Sequence, residues 1–153
     1  MKLVYVASPY TYKSTSKSVF RPLFARTVEW SRFLTVTRIQ GKLVAKYGVA
    51  CYGPILESHL MVWLGKLFGE GIGKSSGVWS DWREYDLTMI DHCDEMWVVM
   101  MPGWEKSTGV QSEIRHCNFT GKPVRYVDPH TLELRKTPKG EIIKCQETVS
   151  STR

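Results

Sequence analysis

The sequence predicts an α/β fold: one open, mainly parallel sheet with helices on both faces and a β-hairpin at its C-terminal end. Three observations carry this expectation. Short apolar runs of strand length alternate with longer segments at helical spacing, the order that builds right-handed crossovers between parallel strands. The chain has 153 residues, enough for one domain, and its 42% hydrophobic and 24% charged residues are those of a folded globular protein. Neither an internal repeat nor a cysteine framework imposes another architecture, because Cys51, Cys93, Cys117 and Cys145 lie far apart with no Cys-x-x-Cys pair.

Lys2 to Val6 is a short apolar run ending in Ala7-Ser8-Pro9-Tyr10, as expected for a buried first strand and its turn. Ser18 is placed to cap a helix with Pro22 in its first turn. Phe20, Leu23, Phe24, Val28, Phe33 and Leu34 then recur at helical spacing, with Gly41 and Gly48 as punctuation, so one long or broken helix follows. Val49 to Tyr52 reads as a second strand running into Gly53-Pro54-Ile55, and Glu57 to Phe68 as a return to helix before a mobile Gly69 to Gly77 loop.

Ser80 is placed to cap a helix reaching about Cys93, Glu95 to Met101 is the strongest strand, and Ser107 to Phe119 is a helix ended by Gly121. Pro123 to Val127 is a fourth strand, and Thr131 to Arg135 with Glu141 to Cys145 form the expected hairpin. The architecture is thus of flavodoxin/Rossmann-like type, with residues 1–128 as the α/β domain and 129–153 as hairpin and frayed tail. In such sheets ligands bind beyond the carboxyl ends of the strands, where the loops after Val6, Tyr52 and Met101 converge.

The 21 basic residues exceed the 15 acidic ones by six, which favours anionic partners without choosing among them. Direct nucleic-acid binding is disfavoured, since the Lys and Arg residues are scattered and not interleaved with aromatics. The longest apolar stretch, Met96 to Met101, is far short of the ~20 residues of a membrane span, so the expectation is a soluble cytoplasmic protein with no membrane partner. His59, His92, His116 and His130 lack metal-ligand spacing, so neither a metal nor another cofactor is expected. Gly69-Glu-Gly-Ile-Gly-Lys-Ser75 imitates a P-loop but has Phe68 where the first glycine belongs and follows a helical pattern, so triphosphate hydrolysis is rejected.

Two acids stand where solvent is not their obvious destination. Glu113 lies three residues after Val110 and four before Cys117, at the edge of the apolar stripe of its helix. Taken alone, it reads more readily as an ion-paired surface acid than as a nucleophile. Asp86 changes that balance, because it sits four residues after Trp82 and four before Ile90 on the apolar side of the preceding helix. Two carboxyls facing one cleft divide labour, one ionised and attacking, the other protonated and donating to a leaving group. At the start of the later helix, Thr108 and Gln111 fit a capping box, and the free N–H groups there attract an anion such as phosphate.

Leu3-Val-Tyr-Val-Ala-Ser-Pro-Tyr10, Gly53-Pro-Ile55, Asp86, Cys93-Asp-Glu95 with the strand that follows, and Ser107-Thr-Gly-Val-Gln-Ser-Glu113 together resemble the nucleoside 2-deoxyribosyltransferase-like superfamily over roughly residues 2–128. They are most similar to its small, often phage-borne subgroup. The resemblance implies that Glu113 attacks the anomeric carbon of a 2-deoxyribosyl group, that Asp86 assists the departing base and that Tyr5 positions Glu113. It also implies substrate contacts from Ser8, Pro9, Tyr10, Ser107 and Gly109, and a homodimer or higher homo-oligomer. The family's transferases carry Asp six residues before the nucleophile. This chain has Ser107, like the deoxynucleoside 5′-monophosphate N-hydrolases, and a hydroxyl accepts a phosphate that a carboxylate would repel. The expected activity is therefore N-glycosidic cleavage of a 2′-deoxynucleoside 5′-monophosphate, with base exchange or nucleotide binding without turnover as the alternatives.

Overall fold

The computed structural model describes residues 1–10, 21–58, 61, 64 and 79–143. The expected Ser18 cap, the P-loop imitation, the Gly69 to Gly77 loop, Cys145 and the tail lie outside them. Strand β1 (Leu3–Ala7) leads to helix α1 (Arg21–Tyr47), and β2 (Ala50–Tyr52) to α2, the helical residues 54–58. Helix α3 (Trp79–His92), β3 (Glu95–Val99), α4 (Thr108–Thr120), β4 (Val124–Val127) and β5 (Leu134–Arg135) complete the order.

The strands form one sheet in the order β2-β1-β3-β4-β5, parallel throughout except for the antiparallel β4–β5 pair. From β1 the chain steps outward to β2, then returns across β1 to β3. The order of the strands reverses at β1 and β3, so their carboxyl ends part to leave a crevice.

Strand alternation sorts the core into two layers. Val4, Val6, Trp97 and Val99 point to the side where Val36, Ile39 and Leu43 of α1 cover them. Tyr5, Ala7, Met96 and Val98 point the other way, against Ile90, Val110 and Cys117 of the α3/α4 layer. Because β1 and β3 are central and covered on both faces, their runs are apolar throughout instead of alternating.

Helix α1 is a single unbroken helix. Gly41 lies within it, and the Thr35 and Thr37 hydroxyls donate to the carbonyls of Ser31 and Phe33, each at 2.8 Å. The turn comes at Gly48, whose φ of 62° suits a residue without Cβ and whose N–H donates to Val44 O at 3.0 Å. The buried stripe is Val36, Ile39, Gln40 and Leu43, whereas Leu34, expected on that face, is exposed and Val28 and Phe33 are half-buried. Helix α3 begins at Trp79, so Ser80 lies within the helix and not before it.

Helix α4 takes Ser107 as its N-cap, and no side-chain capping bond forms there, so Thr108 and Gln111 do not make the expected capping box. Its C-cap is Gly121 at φ 73°, with the N–H bonded to Cys117 O. Since nothing obstructs a Cβ at Gly121, a Gly121→Ala change should cost only the left-handed strain, about 1 kcal/mol, read as a modest drop in urea midpoint.

The C-terminal hairpin is β4 with β5, and Arg135 adds a single antiparallel bridge to Ile142. The segment expected to pair mainly with residues after Glu141 is thus the edge strand of the main sheet, and its Leu134 is buried in the α1-side core. No helix among the described residues is long and apolar enough to cross a membrane.

Candidate active site

Helix α4 crosses the sheet with Val110, Glu113 and Cys117 as its buried residues, so Glu113 occupies an inward position among apolar neighbours. It is 4% exposed. Tyr5, at the centre of β1, points to the same side, and its hydroxyl donates to Glu113 Oε1 at 3.0 Å. From α3, one turn before Ile90, Asp86 reaches the same space at 5% exposure. The three residues thus come from three elements and meet only because the sheet and both helices are assembled.

The electrostatics follow from burial. Loss of water pushes Glu113 up to about 8, the neighbouring charge of Asp86 pushes in the same direction, and the hydrogen bond from Tyr5 opposes both. Burial alone pushes Asp86 up to about 7. Two carboxyls in one dry pocket resist ionising together, so near neutrality they share a proton. Glu113 is raised further than Asp86, and the bond donated by Tyr5 works against that rise, stabilising the form in which Glu113 is the carboxylate and Asp86, which accepts no hydrogen bond among the described residues, holds the proton. Tyr5 itself stays a phenol, its ionisation pushed far up by burial and then by Glu113 and Asp86. One ionised and one protonated carboxyl, both buried, can attack an electrophilic carbon and protonate a departing group.

The remaining expected contact residues rim the crevice. Ser8 and Pro9 are buried just past β1, and the Ser8 hydroxyl has no hydrogen-bond partner among the described residues. Tyr10 follows half-buried, and Arg32 of α1 donates to its carbonyl and to that of Pro102, each at 3.2 Å, tying the loop after β1 to the loop after β3. Ser107 and Gly109 lie half-buried at the N-terminal end of α4, upstream of Glu113 on the same helix. The Ser107 hydroxyl makes no capping bond and Gln111 N–H bonds instead to the Ser107 carbonyl, so that hydroxyl is not committed to the helix. No hydrogen bond joins Ser8, Ser107 or Gly109 to the Tyr5–Glu113 pair among the described residues. A cavity of about 370 Å³ on the α1 side, lined by Thr27, Val28, Ser31, Arg32, Met101 and Pro102, contains no acid.

Two buried polar residues escape a reading of spacing. Glu95 opens β3 at the opposite, amino end of the strands, where Trp97 Nε1 donates to it at 2.6 Å and Lys2 Nζ and Arg125 Nε approach at 3.2 and 3.7 Å. Compensated in this way, it is a structural ion pair at the amino end of the central strands. Tyr52, the last residue of β2, is paired in register with Tyr5, the two rings 5.8 Å apart and tilted by 34°. Its place beside the site depends on the β1–β2 register, which periodicity does not report.

His116 and Asp91 form an exposed pair at 2.6 Å that links α4 to α3 away from the pocket. Among the described residues no cluster of His, Cys, Asp and Glu could hold a metal. No curated protein matches the sequence. A family model does, over residues 2–128, and the chain therefore belongs to the family described as Domain of unknown function (DUF1937).

Proposed function

We propose that this chain cleaves the N-glycosidic bond of a 2′-deoxynucleoside 5′-monophosphate through a covalent deoxyribosyl-glutamate, in keeping with its resemblance to the nucleoside 2-deoxyribosyltransferase-like proteins. The observation that carries the reading is the buried Tyr5–Glu113 hydrogen bond beside a second buried carboxyl that accepts no hydrogen bond among the described residues. In the first step a Glu113 oxygen forms a bond to the anomeric carbon as the bond to the base breaks. The electron pair leaves with the base, and Asp86 delivers its proton there. In the second step water attacks the same carbon, Asp86 takes up its proton, and Glu113 leaves as carboxylate with release of 2-deoxyribose 5-phosphate. The hydroxyl of Ser107 and the first N–H groups of α4 are suited to the 5′-phosphate.

Incubation of the purified protein with each of the four deoxynucleoside 5′-monophosphates, read as free base by chromatography, tests the proposal. Base release is expected from at least one. A folded protein that releases none, or that holds nucleotide intact for hours, overturns it in favour of binding without turnover. Adding a second free base separates hydrolase from transferase, since only a transferase then forms a new nucleoside. Ser107→Asp is expected to raise KM for the nucleotide about tenfold or more through repulsion of the phosphate, and to leave cleavage of the corresponding nucleoside unchanged.

A further inference from the structure

The Tyr52 hydroxyl is a buried polar atom with no hydrogen-bond partner among the described residues. Its residue is 8% exposed, at the carboxyl end of β2 against the ring of Tyr5. The Tyr85 hydroxyl, which donates to Glu57 Oε2 at 3.3 Å, is near enough to hold the Tyr52 proton in place but makes no hydrogen bond of ordinary geometry with it. Asp86 is close enough for its charge, after burial, Tyr85 and Glu57, to oppose ionisation of Tyr52. A hydroxyl stripped of water and left unpaired costs on the order of the hydrogen bond it lacks, and nothing in the packing demands it, since Phe would fill the same space. Such an atom beside an acid that accepts no hydrogen bond among the described residues is explained by a partner that arrives with the ligand.

We infer that Tyr52 is a substrate-contacting residue whose hydroxyl hydrogen-bonds the base that Asp86 protonates, so that the leaving group is held between the end of β2 and the middle of α3 while the phosphate lies toward α4. This rests on the reading of the site as one that cleaves a nucleotide. A phenol hydroxyl both donates and accepts, so it can pair with a ring nitrogen, a carbonyl or an amino group of a base. It requires no partner from the sugar phosphate.

Tyr52→Phe is the test, made in both the parent and the Glu113→Gln protein, the latter so that titrated nucleotide is not consumed. In calorimetric titrations of Glu113→Gln, the added Tyr52→Phe change is expected to weaken binding of deoxynucleoside 5′-monophosphates about tenfold. Binding of 2-deoxyribose 5-phosphate should be unchanged, and the ligand-free melting temperature equal to or above that of the single variant. Equal nucleotide affinity, an equal loss for both ligands, a lower ligand-free melting temperature, or no binding of any probe overturns the inference. The two proposals fail separately. Selective loss of nucleotide binding without base release by the parent keeps Tyr52 and discards cleavage, whereas base release unaffected by Tyr52→Phe does the reverse.

Discussion

Glu113→Gln is expected to lose about 10⁴-fold or more in base release while becoming more stable than the parent at alkaline pH. The amide keeps the size of the side chain and an oxygen to accept the Tyr5 hydroxyl, but cannot form the deoxyribosyl ester. The gain in stability follows from linkage. Burial raises Glu113 in the folded protein from 4.5 to about 8, so the folded state holds its proton more tightly than the unfolded chain. The stability this contributes is fully present below pH 4.5 and is lost as pH rises through about 8, where the buried group must ionise. Glutamine carries no such loss. Urea unfolding should therefore show variant and parent alike near pH 4 and the variant ahead by about 1–3 kcal/mol near pH 8. Full turnover in the variant, or a parent whose stability is flat across this range, would contradict the assignment.

Asp86→Asn removes the proton donor and leaves the nucleophile, and is expected to cost about 10²- to 10⁴-fold for ordinary deoxynucleotides. The pH profile distinguishes this from simple damage. In the parent, rate falls on the acid side as both carboxyls become protonated and on the alkaline side as the pair loses its one remaining proton, beyond the region of about 7 to 8. Asparagine has no proton to lose, so the alkaline fall should vanish. A deoxyribosyl substrate whose leaving group departs without protonation should be cleaved by the variant nearly as fast as by the parent. Equal losses for activated and ordinary substrates would show that Asp86 is not the acid.

Both acids could be read from spacing because a carboxylate on an apolar helical stripe contradicts the pattern around it. Val110, Glu113 and Cys117 share one face of α4, and Asp86 shares the face of Ile90. Helix spacing places a residue on a face but not against a partner. Glu95 illustrates the converse. It sits at a strand start next to Asp94, where either acid could be exposed, and only the Lys2, Arg125 and Trp97 contacts explain why Glu95 is the buried one. The capping box at Thr108 and Gln111 did not form because the helix begins one residue earlier than that motif requires, with Ser107 at the cap and Thr108 already inside.

From the sequence by itself came the alternation of strands and helices, the parallel sheet with its terminal hairpin, and the anomalous placement of Asp86 and Glu113. All of these are written in local periodicity. Only the tertiary structure decided that β1 pairs in register with β2 so that Tyr5 faces Tyr52, and that α3 and α4 pack on the same side of the sheet. It also decided that the Tyr5 hydroxyl reaches Glu113 across 108 positions of chain. Such contacts depend on strand order and helix docking, which no window of neighbouring residues encodes, and they give one of the two buried carboxyls a hydrogen-bond donor that the other lacks among the described residues.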